Sequence, residues 1–351
     1  MKRFVLFWNS LIVMGLLASA CASPQAVAPA PVPPTPVPPT PVPPFPPLIT
    51  VPKKPNAGAL AQDRQKYIFL AANNADPFYV PGLAGWNDAG KMLGVKVEFA
   101  GPLDMDVAEH FKQFAALNAQ EDTAGIFWYP VDFQAGGPLI QESLDKGISL
   151  VIGAADSPLP IRDAFIGYDQ TMLGSAAAQL AAEALKGRTG KVRIGVPESG
   201  RQIQLTERVV GMKDLLPKLL PDLEIEWVMA TMVEESVDGV IKALRAFITA
   251  QPDLDLFWFP GGQSGSFGGM IEELRAAGNK TIWLGTDMPP VMLDAIQKGL
   301  IYGSIGQDTY TEEFWGLMLN YFKYNGYRVP DKVYLRAITI TKDNVDEFIG
   351  E

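Results

Sequence analysis

The chain of 351 residues holds one cysteine, Cys21, and one histidine, His110. A single thiol excludes an internal disulfide framework and any multi-thiolate metal or iron-sulfur site. A Ser-His-Asp triad, a zinc centre or a His-rich metal site would each have to be built around His110 alone. No catalytic set, no metal and no cofactor is therefore expected. Basic residues are also scarce, 29 against 39 acidic, giving a formal charge of -10. Removing residues 1–20, whose only charged members are Lys2 and Arg3, takes this to -12, that is -10 minus 2. Nucleic acid is not expected as a partner on that balance. The apolar stretch from Phe4 to Leu17 is broken by Asn9 and Ser10 and is short for about 30 Å of hydrocarbon, which disfavours a permanent transmembrane helix. What remains is ordinary globular composition, 48% apolar, 10% aromatic and 19% charged, in a length that suits about two domains.

Lys2 and Arg3, the apolar stretch, and the small residues Ala18, Ser19 and Ala20 make an export signal over residues 1–20, cut after Ala20. Leu17-Ala18-Ser19-Ala20-Cys21 resembles a bacterial lipobox, which implies a diacylglycerol on the Cys21 thiol and a lipid anchor at the outer face of the cytoplasmic membrane. Plain secretion through the same cleavage site is the alternative. Residues 21–63 are expected to form a linker. From Pro24 to Pro52 the repeated Pro-Val-Pro-Pro-Thr dictates extended polyproline II. At about 3.1 Å per residue it reaches on the order of 90 Å.

From Lys66 onward, strand-like runs (67–72, 95–99, 125–129, 149–152) alternate with helical patterns at 79–93, 106–119 and 134–146. That is a βαβ series with buried parallel strands. Asp106-x-x-Glu109 is a capping-box signature, and Gly94, Gly147 and Gly278 stand where helices should end. After the short segment 164–167 a second series follows, with helices at 171–185, 204–216 and 236–250 and strands at 191–196, 223–229, 256–259 and 281–284. The predicted fold is α/β, two doubly wound lobes, with ligand-capable loops at the carboxyl ends of the strands.

Several short blocks stand in order: Asn73-Asn74 with Pro77-Phe78-Tyr79, Gly101-Pro102 with Asp104 and Asp106, Pro130-Val131-Asp132, and the block 151–170 containing Ala155-Asp156-Ser157-Pro158 and Gly167-Tyr168-Asp169-Gln170. Then come Glu207-Arg208-Val209-Val210-Gly211, Gly285-Thr286-Asp287 and Ile305-Gly306-Gln307-Asp308. The ordered set resembles the sugar-binding branch of type I periplasmic binding proteins, the ribose-binding-protein-like receptors of ABC transporters. The resemblance implies a first lobe at 64–167 and 305–335, a second lobe at 168–304 and 336–351, and three hinge crossings. It further implies a monomer that closes on a small neutral sugar and presents it to a membrane permease without altering it.

A polyol needs donors, acceptors and an apolar plane for its C–H face. Candidate ligand residues are Asn74, Phe78, Tyr79, Trp128, Tyr129, Asp156, Thr206, Arg208, Asp287 and Gln307. For Trp128, Tyr129, Trp258 and Phe259 core filling is the competing reading. For Asp132, Asp169 and Asp308 the reading as helix caps or hinge bonds is favoured. Arg208 can serve a ligand or orient Glu207 or Asp156 in a salt bridge. Ala154, Gly261 and Thr206 depart from residues common in that family, so Gln204, Gln263 and Ser264 are candidates to replace the lost contacts. A signalling receptor, or a receptor for a nucleoside or autoinducer-like solute, is the alternative. A hydrolase built on Gly262-Gln263-Ser264-Gly265 lacks a glycine at 266 and a later histidine. The Gly187 to Lys191 segment has the wrong spacing for a phosphate loop.

Overall fold

The computed structural model describes residues 65–158, 161–198, 203–231 and 237–349. The expected export signal, Cys21 and the proline linker lie outside the described residues.

The first sheet has six parallel strands. In spatial order they are β2 (Lys96–Ala100), β1 (Lys66–Leu70), β3 (Thr123–Trp128), β4 (Ser149–Ile152), β5 (Ala164–Gly167) and β11 (Lys332–Tyr334). The second sheet runs β7 (Leu223–Thr231), β6 (Gly190–Glu198), β8 (Leu256–Trp258), β9 (Ile282–Thr286), β10 (Gly303–Gly306) and β12 (Ile338–Thr341). Among the described residues its only antiparallel pair is β10 with β12. Helices α1 (Val80–Leu93), α2 (Val107–Asn118), α3 (Phe133–Asp145) and α9 (Thr309–Tyr324) clothe the first sheet, and α4 (Gln170–Ala184), α5 (Ile203–Leu219), α6 (Val237–Ala250), α7 (Gly268–Ala276) and α8 (Pro290–Gln297) the second. The molecule is thus the two-lobed α/β fold that the alternating pattern predicts, and the chain passes between lobes at 167–170, 306–309 and 334–338.

Strand alternation builds a core on each face of each sheet. Tyr67, Phe69, Phe127 and Val151 point to one side of the first sheet, and Ile68, Leu70, Ile126, Trp128, Leu150 and Ile152 to the other. In the second lobe Phe257 and Trp283 oppose Leu256, Trp258 and Leu284 in the same way. Helix α6 shows the matching helical period: Val240, Leu244 and Ile248 are buried, each contributing about 1.5–3 kcal/mol.

Local punctuation follows the sequence. The Asp106 carboxylate accepts from the Glu109 N–H at 2.9 Å, and Gly94, Gly147 and Gly278 take φ of 67°, 76° and 91° at helix ends. Asp132, Asp169 and Asp308 each accept from backbone N–H groups at the start of α3, α4 and α9. They are helix caps. Three expected strands end earlier than predicted: β1 stops at Leu70, and Tyr129 follows β3 and Phe259 follows β8, which leaves those two in the loops beyond the carboxyl ends of their strands.

Candidate functional site

Where α4 and α5 leave the second sheet, their backbones nearly touch. A Cβ on Gly174 would stand 1.8 Å from the Arg208 carbonyl oxygen, and one on Gly211 2.0 Å from that of Thr171. Only glycine permits that approach. It brings Arg208 of α5 against Gln170 at the start of α4: Arg208 Nε donates to Gln170 Oε1 at 2.7 Å, and Nη1 to the Pro260 carbonyl at 2.7 Å. Arg208 Nη2 reaches Gln307 Oε1 at 3.4 Å, and Gln307 Nε2 donates in turn to Asp287 Oδ1. Three of the candidate ligand residues, Arg208, Gln307 and Asp287, therefore form one hydrogen-bonded chain, each only 6% exposed.

Asp287 follows β9 with φ of 66°, a left-handed backbone that aspartate tolerates better than most residues. Its N–H donates to the Ile305 carbonyl at 2.8 Å, and its own carbonyl accepts from Ser304 Oγ at 2.6 Å. Burial pushes the Asp287 carboxyl up from its ordinary range, Arg208 and Gln307 pull it back in part, and Asp76 of the first lobe pushes it up again. Burial likewise lowers the Arg208 guanidinium, opposed by Asp287 and Glu312, yet an arginine stays protonated. A buried cation and a buried carboxylate joined through one amide offer charged donors and acceptors to a ligand.

The first lobe contributes differently. Tyr79 and Tyr129 are buried, with ring centroids 5.6 Å apart, and Phe78, half-buried, stands edge-on to Tyr79 at 5.3 Å. Behind the two tyrosines lie two carboxyl groups that sequence reasoning missed, Glu312 in the first turn of α9 and Glu313 just after it, 1% and 0% exposed. The Ala154 N–H donates to Glu312 Oε1 at 2.7 Å, and the Tyr129 hydroxyl to Glu313 Oε1 at 2.8 Å. The other Glu313 oxygen is buried without a partner, in space left by Gly82, whose Cβ would meet that carboxyl at 2.5 Å. Burial raises Glu312 to about 7 against the pull of the Ala154 N–H, Tyr129 and Arg208. Burial and the Glu312 charge push Glu313 well above the carboxylate range. Nothing in the local sequence marks the pair, because acids near a helix start are ordinarily solvated partners of the helix dipole.

The remaining candidates lie apart from this constellation. Trp128 belongs to the core on the α2 and α3 face of its sheet, opposite Tyr129, as adjacent strand residues must. Its indole N–H is taken by His110 Nε2 at 2.7 Å, and burial lowers that imidazole to about 4. Trp258 is likewise core, donating to Thr286 Oγ1 at 3.2 Å, and Phe259 packs edge-on against Phe267. Asp156 is held by Arg162, through Nε at 2.6 Å and Nη2 at 3.0 Å, and by Lys332 at 2.6 Å. Burial raises its carboxyl, but those two cations outweigh it and hold the group below its ordinary range. The expected alternative of an Arg208 salt bridge to Asp156 gives way to the Gln170, Pro260 and Gln307 bonds. Asn74 is exposed and ties two loops of the first lobe, Nδ2 donating to the Gly101 carbonyl at 2.9 Å. Thr206 is exposed, two positions before Arg208 on α5, and so on another side of the helix. Gln204, one turn before Arg208, shares its side and is half-buried. Ser264 is spent on β9: its hydroxyl donates to the Thr286 carbonyl at 3.2 Å and accepts from the Thr286 N–H at 3.0 Å. Among the described residues no three His, Cys, Asp or Glu side chains gather in a way that could hold a metal ion, and no helix is long and apolar enough to cross a membrane.

Residues 67–326 match the family model of the periplasmic binding protein domain. No curated protein matches the chain significantly. Among solved structures, a glucose-galactose binding protein from Geobacillus stearothermophilus is 21% identical with a TM-score of 0.70, over 80% of this chain and 98% of that one. The sugar-binding protein of a sugar ABC transporter from Bacillus halodurans is 21% identical with a TM-score of 0.72, over 81% and 99%. An ABC transporter solute binding protein from Burkholderia graminis, solved in complex with D-arabinose, is 19% identical with a TM-score of 0.72, over 83% and 98%. At these identities the likeness is one of fold.

Proposed function

The chain belongs to the periplasmic binding protein domain family, and from that premise we propose that it is an extracytoplasmic receptor that captures a small neutral sugar between its lobes and delivers it, unchanged, to an ABC importer. The observation that carries this reading is the buried Arg208, Gln307 and Asp287 chain at the carboxyl ends of the second sheet, beside two crossings between lobes. Fixed charged and amide groups suit vicinal hydroxyls, and the Phe78, Tyr79 and Tyr129 rings supply an apolar face. A ligand touching both lobes stabilises the closed form by the contacts it gains there. The only histidine is committed to Trp128 and the Ser264 hydroxyl to Thr286, which favours binding over hydrolysis. The lipobox-like sequence ending at Cys21 supports a lipid anchor, with the proline linker as a stalk that keeps the receptor near its permease.

A thermal-shift panel of monosaccharides, nucleosides and amino acids tests the reading. A sugar at 100 times its dissociation constant adds about 2.7 kcal/mol of stability. Asp287→Asn, which keeps a residue suited to the left-handed backbone, weakens sugar binding at least about tenfold without unfolding the protein. If nucleosides or amino acids raise the melting temperature and no carbohydrate does, the sugar assignment is wrong.

A further inference from the structure

The Ala154 peptide lies beside the first crossing, in the first lobe, with φ of 59°. An alanine holds that left-handed backbone only where its surroundings fasten it. Here both of its polar groups are fastened, from opposite sides. Glu312 of α9 accepts the Ala154 N–H at 2.7 Å, and Gln170 Nε2 of α4 donates to the Ala154 carbonyl at 2.9 Å. The same amide nitrogen donates to the Tyr168 carbonyl at 3.1 Å, while Gln170 Oε1 accepts from Arg208 Nε at 2.7 Å. Gln170 is 6% exposed, so each bond is made away from competing water.

From this we propose that Gln170 is a positioning residue: it fixes the Arg208 guanidinium toward the ligand and ties that position to the Ala154 peptide of the other lobe, which Glu312 holds in place. An arginine alone on α5 has rotamers to spare. The amide removes that freedom before ligand arrives, which lowers the ordering cost of binding. It also makes the orientation of a second-lobe side chain depend on a first-lobe peptide at the hinge.

This rests on reading the Arg208 chain as the ligand site, and the test separates the two claims. Its first arm needs no ligand. In nitrogen-15 spectra of the folded body, the Arg208 Nε–H exchanges slowly in the wild type. Gln170→Ala releases it, and Gln170→Glu, which still offers an oxygen to Nε, retains it. Glu312→Ala releases it too, although Glu312 is in the other lobe, whereas Glu312→Gln, which still accepts the Ala154 N–H, does not. The second arm titrates D-galactose and D-arabinose by calorimetry. Gln170→Ala weakens the sugar that binds by roughly ten- to a hundredfold. Gln170→Glu recovers part of that loss while melting at a lower temperature than Gln170→Ala, because its carboxylate now faces two carbonyl oxygens. A merely structural role would order affinity and melting alike. Unchanged Nε–H exchange in Gln170→Ala or Glu312→Ala overturns the proposal, as does Gln170→Glu binding no better than Gln170→Ala. If neither sugar binds the wild type, the exchange arm alone decides the positioning role, and the thermal-shift panel decides the sugar reading.

Discussion

At the carboxyl end of the second sheet, Arg208, Gln307 and Asp287 are hydrogen-bonded to one another in a partner-rich arrangement. At the matching end of the first sheet, two buried tyrosines back onto Glu312 and Glu313, whose carboxyl groups are driven toward their neutral forms. The two halves solve different problems. The second lobe buries charge and satisfies it with opposite charge and amides. The first buries two acids whose pKa values burial raises, Glu312 to about 7 and Glu313 further, behind its aromatic rings. For a polyol bound between them, directional hydroxyl recognition would come from one side and a ring face from the other.

Both lobes press helix backbones together, since a Cβ on Gly85 of α1 would meet the Tyr310 carbonyl oxygen at 2.2 Å, but the glycines beside the two halves of the site differ. A Cβ on Gly174 meets backbone, the Arg208 carbonyl at 1.8 Å, whereas one on Gly82 meets only the end of the Glu313 side chain at 2.5 Å. Gly174→Ala should force α4 and α5 apart, cost about 3 kcal/mol or more and abolish the proposed sugar binding with it. Gly82→Ala should cost on the order of 1 kcal/mol, because a side chain can turn where a helix cannot. Thermal melts of both variants check this, and equal losses would mean that the buried Glu313 carboxyl cannot turn aside.

The next effect is one of pH. Glu313 keeps its proton in the folded chain at pH values where the unfolded chain has lost it, so between about pH 4.5 and neutrality the native state binds more protons. Stability therefore falls as pH rises through that window. Glu313→Gln mimics the protonated acid, still accepts from Tyr129, and should flatten this limb, leaving the variant more stable than wild type at pH 7.5. His110 works with the opposite sign. Its lowered pKa, about 4, means that the stability it contributes is lost as pH falls below about 6.5. Urea melts from pH 4 to 8 check both limbs. A Glu313→Gln profile parallel to wild type would show that the acid is ionised in the native state.

The alternation of strands and helices, the aspartate caps and the glycine helix ends were all legible because each is a local pattern with a local cause; of the Asp106-x-x-Glu109 capping box only the Asp106 half forms, since the Glu109 carboxylate accepts from Lys112 and Gln113 instead. So was the second-lobe half of the site: Gly211 and Arg208 stand in one short block, and the glycine is what lets the arginine approach Gln170. The first-lobe half was not legible. Glu312 and Glu313 look like solvated acids near a helix start, and only the seating of α9 between α1 and the first sheet buries them. Trp128 and Tyr129 are adjacent in sequence, yet strand alternation sends them to opposite faces, and which face adjoins the site depends on the whole lobe.

Asp156 gives the finest form of the comparison, since it stands in a block of the first lobe as suggestive as the one that holds Asp287 in the second. Its two oxygens are already occupied by Arg162 and Lys332, and a carboxylate held by two cations has little left to offer a hydroxyl. Asp156→Asn should therefore lower the melting temperature by a few degrees, about 1 kcal/mol, as the Arg162 pair weakens. The same variant should leave sugar affinity within about twofold of wild type, against the tenfold or larger loss expected of Asp287→Asn. Calorimetry on the two variants side by side decides it: matched losses of affinity would mean that Asp156 leaves Arg162 for the ligand on closure, and that the first lobe supplies a charged acceptor after all.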